Sequence, residues 1–194
     1  MTADLRVAGV ILAGGLGRRM GGVDKGLRPL RGKPMVQWVL ERFSAQVDDL
    51  LINANQHLEE YSAFGYPVIP DRIAGFAGPL AGLHAALSAT SDALVATVPC
   101  DSPFLPTDLV ARLRQALLLK GADLASARAM GQAHPVFCIC RRAVLPGLST
   151  FLQQGGRKIE QWHRTLEAVE VDFDDQVDAF GNINTPEELS RLEV

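Results

Sequence analysis

A glycine-rich segment directly after an aliphatic run constrains this chain most. Residues 7–12, VAGVIL, lack helical spacing of apolar positions and predict a buried strand. Five glycines then occupy nine positions, residues 14–22, with the cations Arg18, Arg19 and Lys25 in or just after them. Glycine lets the backbone approach a ligand closely, and successive N–H groups bent into a concavity bind anions. The segment therefore predicts a cradle for a polyphosphate.

Two well-known phosphate loops do not match this segment. A Walker A loop needs Lys-Ser/Thr after its second glycine, but Val23 and Asp24 follow Gly22. A dinucleotide fingerprint needs Gly-x-Gly-x-x-Gly, and Met20 stands where the third glycine belongs. We therefore expect a phosphate loop of another kind, with a glycine-rich surface turn carrying solvated charges as the alternative.

Composition narrows the class of protein. Of the 194 residues, 47% are hydrophobic but only 6% aromatic, which is typical of a parallel sheet covered by helices. The net charge of −3 argues against binding nucleic acid or an anionic membrane surface. No apolar run reaches the ~18 residues of a spanning helix, and no signal-peptide pattern is present, so we expect a cytoplasmic protein. Of three cysteines, Cys138 and Cys140 share one strand face, which fits buried structural thiols better than a metal or redox pair.

Predicted strands and helices alternate over the first two thirds of the chain. The strands are residues 7–12, 50–52, 66–69 and 93–98; the helices are residues 35–45, 58–64, 83–89 and one capped by Thr107 or Asp108. A second glycine-rich turn, residues 75–82, precedes the third helix. This alternation predicts parallel crossovers and a doubly wound sheet.

The last third predicts a different pairing. Residues 123–128 and 135–140 are two strands joined by a short connection, which favours an antiparallel pair. Helices over about 143–153 and through Trp162, an edge strand at 169–173 and a capping box from Thr185 to Glu188 follow. We expect one three-layer α/β/α domain, Rossmann-like, with a mostly parallel sheet and an antiparallel strand in its last third.

Polar side chains follow several strands of the predicted sheet. Asn53, Asp71 and Asp101 come at strand ends, as the glycine-rich segment does, so all should meet in one crevice. Asp101, stiffened by flanking prolines, is the candidate Mg²⁺ ligand, with a turn-capping aspartate as the alternative. Asp71 is a second ligand, a nucleotide contact or a turn residue. Lys25 should contact a triphosphate and stabilise its developing charge.

Other polar residues are weaker candidates. Arg19 should act like Lys25 on phosphate. Asn182 and Asn184, two apart on an extended segment, point the same way, although an Asx turn explains them equally well. Arg157 and Lys158, after two glycines, are more typical of a solvated loop than of an acceptor-phosphate site. His134, before Pro135, is more typical of a hydrogen-bonded histidine at a strand edge than of a general base.

Four motifs together resemble the molybdenum cofactor guanylyltransferases, relatives of the sugar-1-phosphate nucleotidyltransferases and molybdopterin cytidylyltransferases. They are Leu12-Ala13-Gly14-Gly15 with Arg19-Met20-Gly21 and Asp24-Lys25; Gly78-Pro79-Leu80-Ala81-Gly82; Pro99-Cys100-Asp101-Ser102-Pro103; and Asn182-Ile183-Asn184-Thr185-Pro186-Glu187-Glu188-Leu189. One departure is Gly17-Arg18, where relatives often carry small hydroxyl residues. The departure puts a hydroxyl contact to phosphate in doubt and leaves the backbone cradle intact.

The resemblance implies Mg²⁺-dependent transfer of GMP from GTP to molybdopterin carrying molybdenum, with release of pyrophosphate. It places GTP on Leu12, Ala13, Gly14, Gly15, Lys25, Asn53, Asp71 and Asp101, the metal on Asp101, and the pterin on Asn182 and Asn184. Residues of about 1–105 would bind the nucleotide and about 106–194 would face the acceptor. Implied partners are GTP, molybdopterin, other cofactor-biosynthesis proteins and acceptor molybdoenzymes, for a monomeric protein.

Three other functions remain open at this point. The same scaffold serves molybdopterin cytidylyltransferases and sugar-1-phosphate nucleotidyltransferases, and the choice of base separates these activities. A non-catalytic nucleotide-binding module is a third alternative, because a fold does not determine a function. Lys25 and Asp101 argue against it, since a pure binding module would not need both.

Overall fold

The computed structural model describes residues 5–15, 24–73, 78–181 and 183. Several predicted features lie outside these residues. They are Arg18, Arg19, Asn182, Asn184 and the capping box that begins at Thr185.

Strands and helices alternate as expected. The strands are β1 (Val7–Leu12), β2 (Pro29–Leu30), β3 (Lys33–Pro34), β4 (Asp49–Asn53), β5 (Val68–Ile69), β6 (Leu94–Pro99), β7 (Leu124–Ala129), β8 (Gln132–Arg141) and β9 (Ala168–Asp172). The α-helices are α1 (Met35–Phe43), α2 (Leu58–Ser62), α3 (Pro79–Ala89), α4 (Leu109–Lys120), α5 (Leu145–Gln153) and α6 (Ile159–His163). Short 3₁₀ helices cover Ser44–Gln46, Arg142–Val144 and Asp174–Phe180. Among the helices of the described ranges, none has both the length and the hydrophobicity needed to span a bilayer.

Seven strands form one mixed sheet in the order β5-β4-β1-β6-β8-β7-β9, while β2 and β3 pair separately. Within this sheet β8 runs antiparallel to both of its neighbours, and the other pairs are parallel. The predicted edge strand is β9. Leu12 lies opposite both Asn53 and Pro99, so the carboxyl ends of β4, β1 and β6 coincide at one edge of the sheet. The mostly parallel sheet and its antiparallel strand are confirmed.

Helices cover both faces of the sheet. Residues of α1, α2 and α4 pack on one face, and residues of α3, α5 and α6 pack on the other. Gly9 in β1 lets α1 approach, because a Cβ there would lie 2.7 Å from a ring carbon of Phe43. Cys138 and Cys140 point to the same face and are buried, as their alternation predicted. The three-layer α/β/α architecture is therefore confirmed.

Three local predictions differ from the structure. Helix α3 starts at Pro79, four residues before the predicted start at Leu83, because Gly78 takes a φ of +65° and Pro79 suits the first helical turn. Asp108 occupies the N-cap of α4 without a side-chain capping bond, and its carboxylate accepts from the Gln176 amide instead. Strand β8 begins at Gln132, before the predicted start at Pro135. Pro135 lies where the pairing of β7 and β8 is irregular, so the proline is accommodated inside the strand and does not mark its start.

Candidate active site

The ends of β1, β4 and β6 are joined by backbone hydrogen bonds. The Ala13 N–H donates to the Asn53 carbonyl at 2.8 Å, and the Cys100 N–H donates to the Leu12 carbonyl at 3.2 Å. Asp101 follows Cys100 directly. The structure therefore brings Leu12, Ala13, Asn53 and Asp101 to one edge of the sheet, as the strand assignments predicted.

Asp71 is held by two amide side chains from the end of β4. Asn53 Nδ2 donates to Asp71 Oδ1 and Asn55 Nδ2 donates to Asp71 Oδ2, both at 2.9 Å. The Asp71 N–H returns a bond to Asn55 Oδ1 at 2.9 Å. Asn53 is only 2% exposed, so its orientation is set by burial as well as by these bonds. Asp71 is thereby a preoriented acceptor at the edge of the crevice.

Asn55 is a member of this group that the sequence analysis did not single out. Its Nδ2 also donates to the Gly14 carbonyl at 3.2 Å, so it connects the glycine-rich segment to Asp71. The spacing Asn53-Ala54-Asn55 was the available signal, because residues two apart on an extended chain point the same way.

Glycines allow this network to form. A Cβ on Gly14 would lie 2.8 Å from Asn55 Nδ2 and 3.0 Å from Asn53 Oδ1. A Cβ on Gly82 of α3 would lie 2.3 Å from Asn53 Oδ1 and 2.6 Å from a methyl carbon of Leu12. Both segments therefore need glycine in order to approach the end of β4.

Lys25 and Asp101 form an ion pair at the same edge. Lys25 Nζ lies 3.1 Å from Asp101 Oδ2, and the two side chains are 24% and 12% exposed. The pair is shielded on most sides but still reaches solvent, which a ligand-binding pair requires. The Asp101 carbonyl accepts from the Ile183 N–H at 3.0 Å, so the C-terminal part of the chain returns to this strand end.

The neighbouring thiol of Cys100 is buried, which makes it a poor nucleophile. Burial raises the pKa of Cys100 well above its usual value, and the charges of Asp101 and Asp24 add to the effect. Burial also raises the pKa of Cys138 to about 11 and raises that of Cys140. All three cysteines are free and buried, which confirms the prediction of buried thiols for Cys138 and Cys140.

A divalent cation would rely on Asp101 together with a bound phosphate. Within the described ranges, no group of three or more His, Cys, Asp or Glu side chains could hold a metal ion. Mg²⁺ does not require such a cage, because it binds through one or two carboxylates, substrate phosphates and water. A single shielded carboxylate at the strand end beside β1, where the predicted phosphate cradle begins, fits that requirement.

Two weaker candidates are occupied by structural contacts. Arg157 Nη1 donates to the carbonyls of Leu152 and Gly156 at 2.8 and 2.7 Å, at the end of α5. His134 stacks on Phe180 with 4.8 Å between ring centroids, and burial lowers its pKa. His134 is thereby packed against a ring, and Arg157 lies in an exposed loop, as the sequence analysis favoured, with its guanidinium bonded to backbone carbonyls.

Comparison with known proteins is consistent with this geometry. Residues 9–169 match the model of the MobA-like NTP transferase domain. The chain belongs to this family. It is 51% identical to the molybdenum cofactor guanylyltransferase of Cupriavidus metallidurans, over 94% of this chain and 92% of that protein. It is 50% identical to the protein of that name from Ralstonia nicotianae, over 96% and 95%.

A solved structure of the family has the same fold. Molybdopterin-guanine dinucleotide biosynthesis protein A from Archaeoglobus fulgidus aligns with a TM-score of 0.80 and 28% identity, over 96% of each chain. The resemblance inferred from the four motifs is therefore confirmed. The part matched by the MobA-like NTP transferase domain contains Lys25, Asn53, Asp71 and Asp101 and ends before Asn182.

Proposed function

We propose that this protein transfers GMP from GTP to the terminal phosphate of molybdopterin carrying molybdenum, giving the guanine dinucleotide cofactor and pyrophosphate. The observation that carries the proposal is the Lys25–Asp101 pair, 3.1 Å apart beside the glycine-rich segment of a MobA-like NTP transferase domain. The choice of guanine and of the pterin acceptor rests on the relatives at about 50% identity that are named molybdenum cofactor guanylyltransferases.

GTP would lie across the ends of β1 and β4. The backbone of residues 12–15 and the Lys25 ammonium would hold the phosphates, since backbone N–H groups and a point charge complement each other around a polyanion. Asn53 and Asp71 would face the base. The Asp71 carboxylate is suited to the adjacent N–H donors of guanine. Each of its oxygens accepts one hydrogen bond from an asparagine side chain and can accept a second one from the base.

Asp101 would hold Mg²⁺ against the phosphates of GTP. The bound ion would supply positive charge to the phosphate oxygens, which lowers the cost of the charge that develops there. Arg19, the second predicted catalytic cation, lies outside the described residues and is proposed from its place in the motif alone.

The reaction would be an in-line displacement at the α-phosphorus. An oxygen of the acceptor's terminal phosphate forms the new P–O bond, the bond between the α-phosphorus and the bridging oxygen breaks, and pyrophosphate leaves with the electron pair. Lys25 stabilises the charge on the transferring and leaving groups. A phosphate monoester already carries negative charge at pH 7, so no general base is needed, which agrees with the packed state of His134.

The acceptor would approach from the side of residues 106–194, opposite the nucleotide side of residues 1–105. Support comes from Ile183, whose N–H reaches the Asp101 carbonyl at 3.0 Å. Asn182 and Asn184 flank Ile183 in the sequence, and we assign them to the pterin. Both lie outside the described residues.

The experiment is pyrophosphate release from GTP, CTP, ATP and UTP, with Mg²⁺ and molybdopterin, with and without molybdate. The expected result is pyrophosphate release with GTP and with none of the other three nucleotides. Release should also require the pterin. Release with CTP in place of GTP would contradict the choice of base but leave the phosphate and metal assignments standing. Tight GTP binding without release from any nucleotide would contradict the transferase assignment.

A further inference from the structure

The buried hydroxyl of Tyr61 contacts Asp24, which follows the glycine-rich segment in the sequence. Tyr61 belongs to α2 and is fully buried, with its hydroxyl 2.6 Å from Asp24 Oδ1. The same carboxylate oxygen accepts from the Gly26 N–H at 3.0 Å. Asp24 and Gly26 flank Lys25. The hydrogen bonds to this one oxygen atom therefore restrain the backbone on both sides of the proposed catalytic lysine.

The space around this contact is filled. A Cβ on Gly26 would lie 2.5 Å from the Tyr61 hydroxyl and 3.2 Å from Cys100 Cβ and Sγ, and Cys100 precedes Asp101. The Gly26 carbonyl accepts from the Val36 N–H at 2.8 Å. The backbone after Lys25 is therefore enclosed between α2, the end of β6 and the start of α1.

The charge of Asp24 makes its restraint necessary. Lys25 is next to Asp24 in the chain but pairs with Asp101, 3.1 Å away. A released Asp24 carboxylate would compete with Asp101 for the ammonium and would repel a triphosphate. Burial and the nearby Cys100 and Asp24 raise the pKa of Tyr61, so its hydroxyl stays a donor throughout the physiological pH range.

We propose that the Tyr61–Asp24 hydrogen bond is a positioning device that directs Lys25 toward Asp101 and the phosphates and keeps Asp24 away from them. Tyr61 and Asp24 touch neither substrate in this assignment and act through Lys25. The inference rests on the proposed function, because it concerns the orientation of the lysine that stabilises the transferred phosphate.

The test compares two tyrosine variants that each lose only a hydroxyl. Tyr61→Phe removes the bond to Asp24, and Tyr66→Phe is the matched control on a half-buried tyrosine of the same region. We expect Tyr61→Phe to lower kcat about tenfold or more, the effect of losing a hydrogen bond to a charged group, with KM for GTP changed less than about threefold. Tyr66→Phe should match the wild type.

A second pair separates hydrogen bonding from charge. Asp24→Asn retains an oxygen that accepts from Tyr61 and Gly26, so it should keep most of the turnover. Asp24→Ala should lower turnover through the lost bond, but by less than Tyr61→Phe, in which the released carboxylate also competes for Lys25. Combining Asp24→Ala with Tyr61→Phe should add little, because both remove the same bond. Equal kcat in Tyr61→Phe and Tyr66→Phe, or equal impairment in Asp24→Asn and Asp24→Ala, overturns the proposal.

A measurement of GTP binding tests the role of Tyr61 independently of whether the proposed reaction takes place. A wild-type protein that releases no pyrophosphate would refute the proposed function on its own. Titration of Mg·GTP at rising ionic strength would still show whether Lys25 contacts the phosphates. A cation that contacts a phosphate contributes to the salt dependence of the affinity. We expect a weaker salt dependence in Tyr61→Phe than in Tyr66→Phe, and identical dependences overturn the positioning role.

Discussion

The two sides of the crevice hold their residues by different interactions. On the side of β5, β4, β1 and β6, called here the parallel half, polar side chains bond directly to one another. Asn53 and Asn55 each place an amide on Asp71, and Tyr61 places a hydroxyl on Asp24. Such bonds fix the direction of individual donors and acceptors, which a ligand with a defined hydrogen-bonding pattern requires.

The side of β8, β7, β9 and the 3₁₀ helix Asp174–Phe180, called here the antiparallel half, is held by ring packing. Phe180 contacts His134, Phe137 and Phe173 with centroid distances of 4.8, 5.0 and 5.3 Å. The Arg112 guanidinium lies 3.9 Å over the Phe173 ring. Ring packing fixes where the chain lies up to Phe180, and the proposed acceptor residues Asn182 and Asn184 follow it in the sequence. The comparison supports the proposal of a preoriented nucleotide side and an anchored acceptor side.

The largest expected effect is on the carboxylate where the halves meet. Asp101→Asn keeps the side-chain shape but loses the charge that would hold Mg²⁺, so kcat should fall about 10²- to 10³-fold, the range for removing one electrostatic stabiliser. The measurement is steady-state turnover at saturating Mg²⁺. The control is Asp92→Asn, another buried carboxylate paired with a cation, Arg6, at the opposite edge of the sheet. Asp92→Asn should lose stability and keep kcat, and a near-normal kcat in Asp101→Asn would refute the metal assignment.

Acid should loosen the antiparallel half first. His163 of α6 is buried behind β8, and burial lowers its pKa from 6.5 to about 4. As pH falls from 6.5 toward 4 the unfolded chain takes up this proton before the folded one, so stability present above pH 6.5 is lost. The loss is at most about 3 kcal/mol.

Urea unfolding between pH 7 and pH 4.5 measures this loss. His163→Leu should flatten the pH dependence, and His57→Gln, on a side chain that is 42% exposed, is the control for replacing a histidine at the surface. Hydrogen exchange at pH 5 should show lost protection in α6 and β8 before β1 and β4. Equal pH dependence in wild type and His163→Leu would rule out His163 as the cause.

Nucleotide affinity should depend on Asn55. Asn55→Ala removes one of the two amides that orient Asp71, together with the bond to the Gly14 carbonyl. Loss of a bond to a charged group costs about 1.5–3 kcal/mol, so KM for GTP should rise about ten- to a hundredfold. The preference for GTP over CTP should narrow as well. Gln56→Ala, on the next and exposed residue, is the control. Unchanged KM in Asn55→Ala would show that Asp71 needs only Asn53.

The parallel half was the more predictable of the two from the sequence. Continuous aliphatic runs identify β1 and β6 in the sequence. Because the carboxyl ends of parallel strands meet at one edge of a sheet, the sequence also predicted that Asn53 and Asp101 lie close together. Which side chains bond to which was not predictable. Tyr61 and Asp24 are 37 residues apart and meet only because α2 packs beside Asp24 and Gly26.

The antiparallel half was predicted in outline only. The pair β7–β8 was expected, but the residues of β8 between His134 and Cys138 have no partner on β7. The Thr97 hydroxyl donates to the Val136 carbonyl in this irregular stretch, a contact between neighbouring strands that no local pattern encodes. The anchoring of Phe180 likewise depends on two rings of β8 and on Phe173, which follows β9, so spacing along the chain gives no signal for it.

The smallest effect tests the anchor itself. Phe180→Leu replaces the ring that packs on His134, Phe137 and Phe173 with a smaller aliphatic side chain. The free energy of unfolding should fall by about 1 kcal/mol. The segment that follows should then be less well placed, so KM for the pterin should rise severalfold while KM for GTP and the GTP–CTP preference stay unchanged. Phe151→Leu, in α5 on the other face of the sheet, should change neither KM. Because Phe180 lies in the antiparallel half and Asn55 in the parallel half, the two variants should affect opposite substrates. A rise in KM for GTP with Phe180→Leu would show that the two sides are coupled through Asp101, whose carbonyl accepts from Ile183.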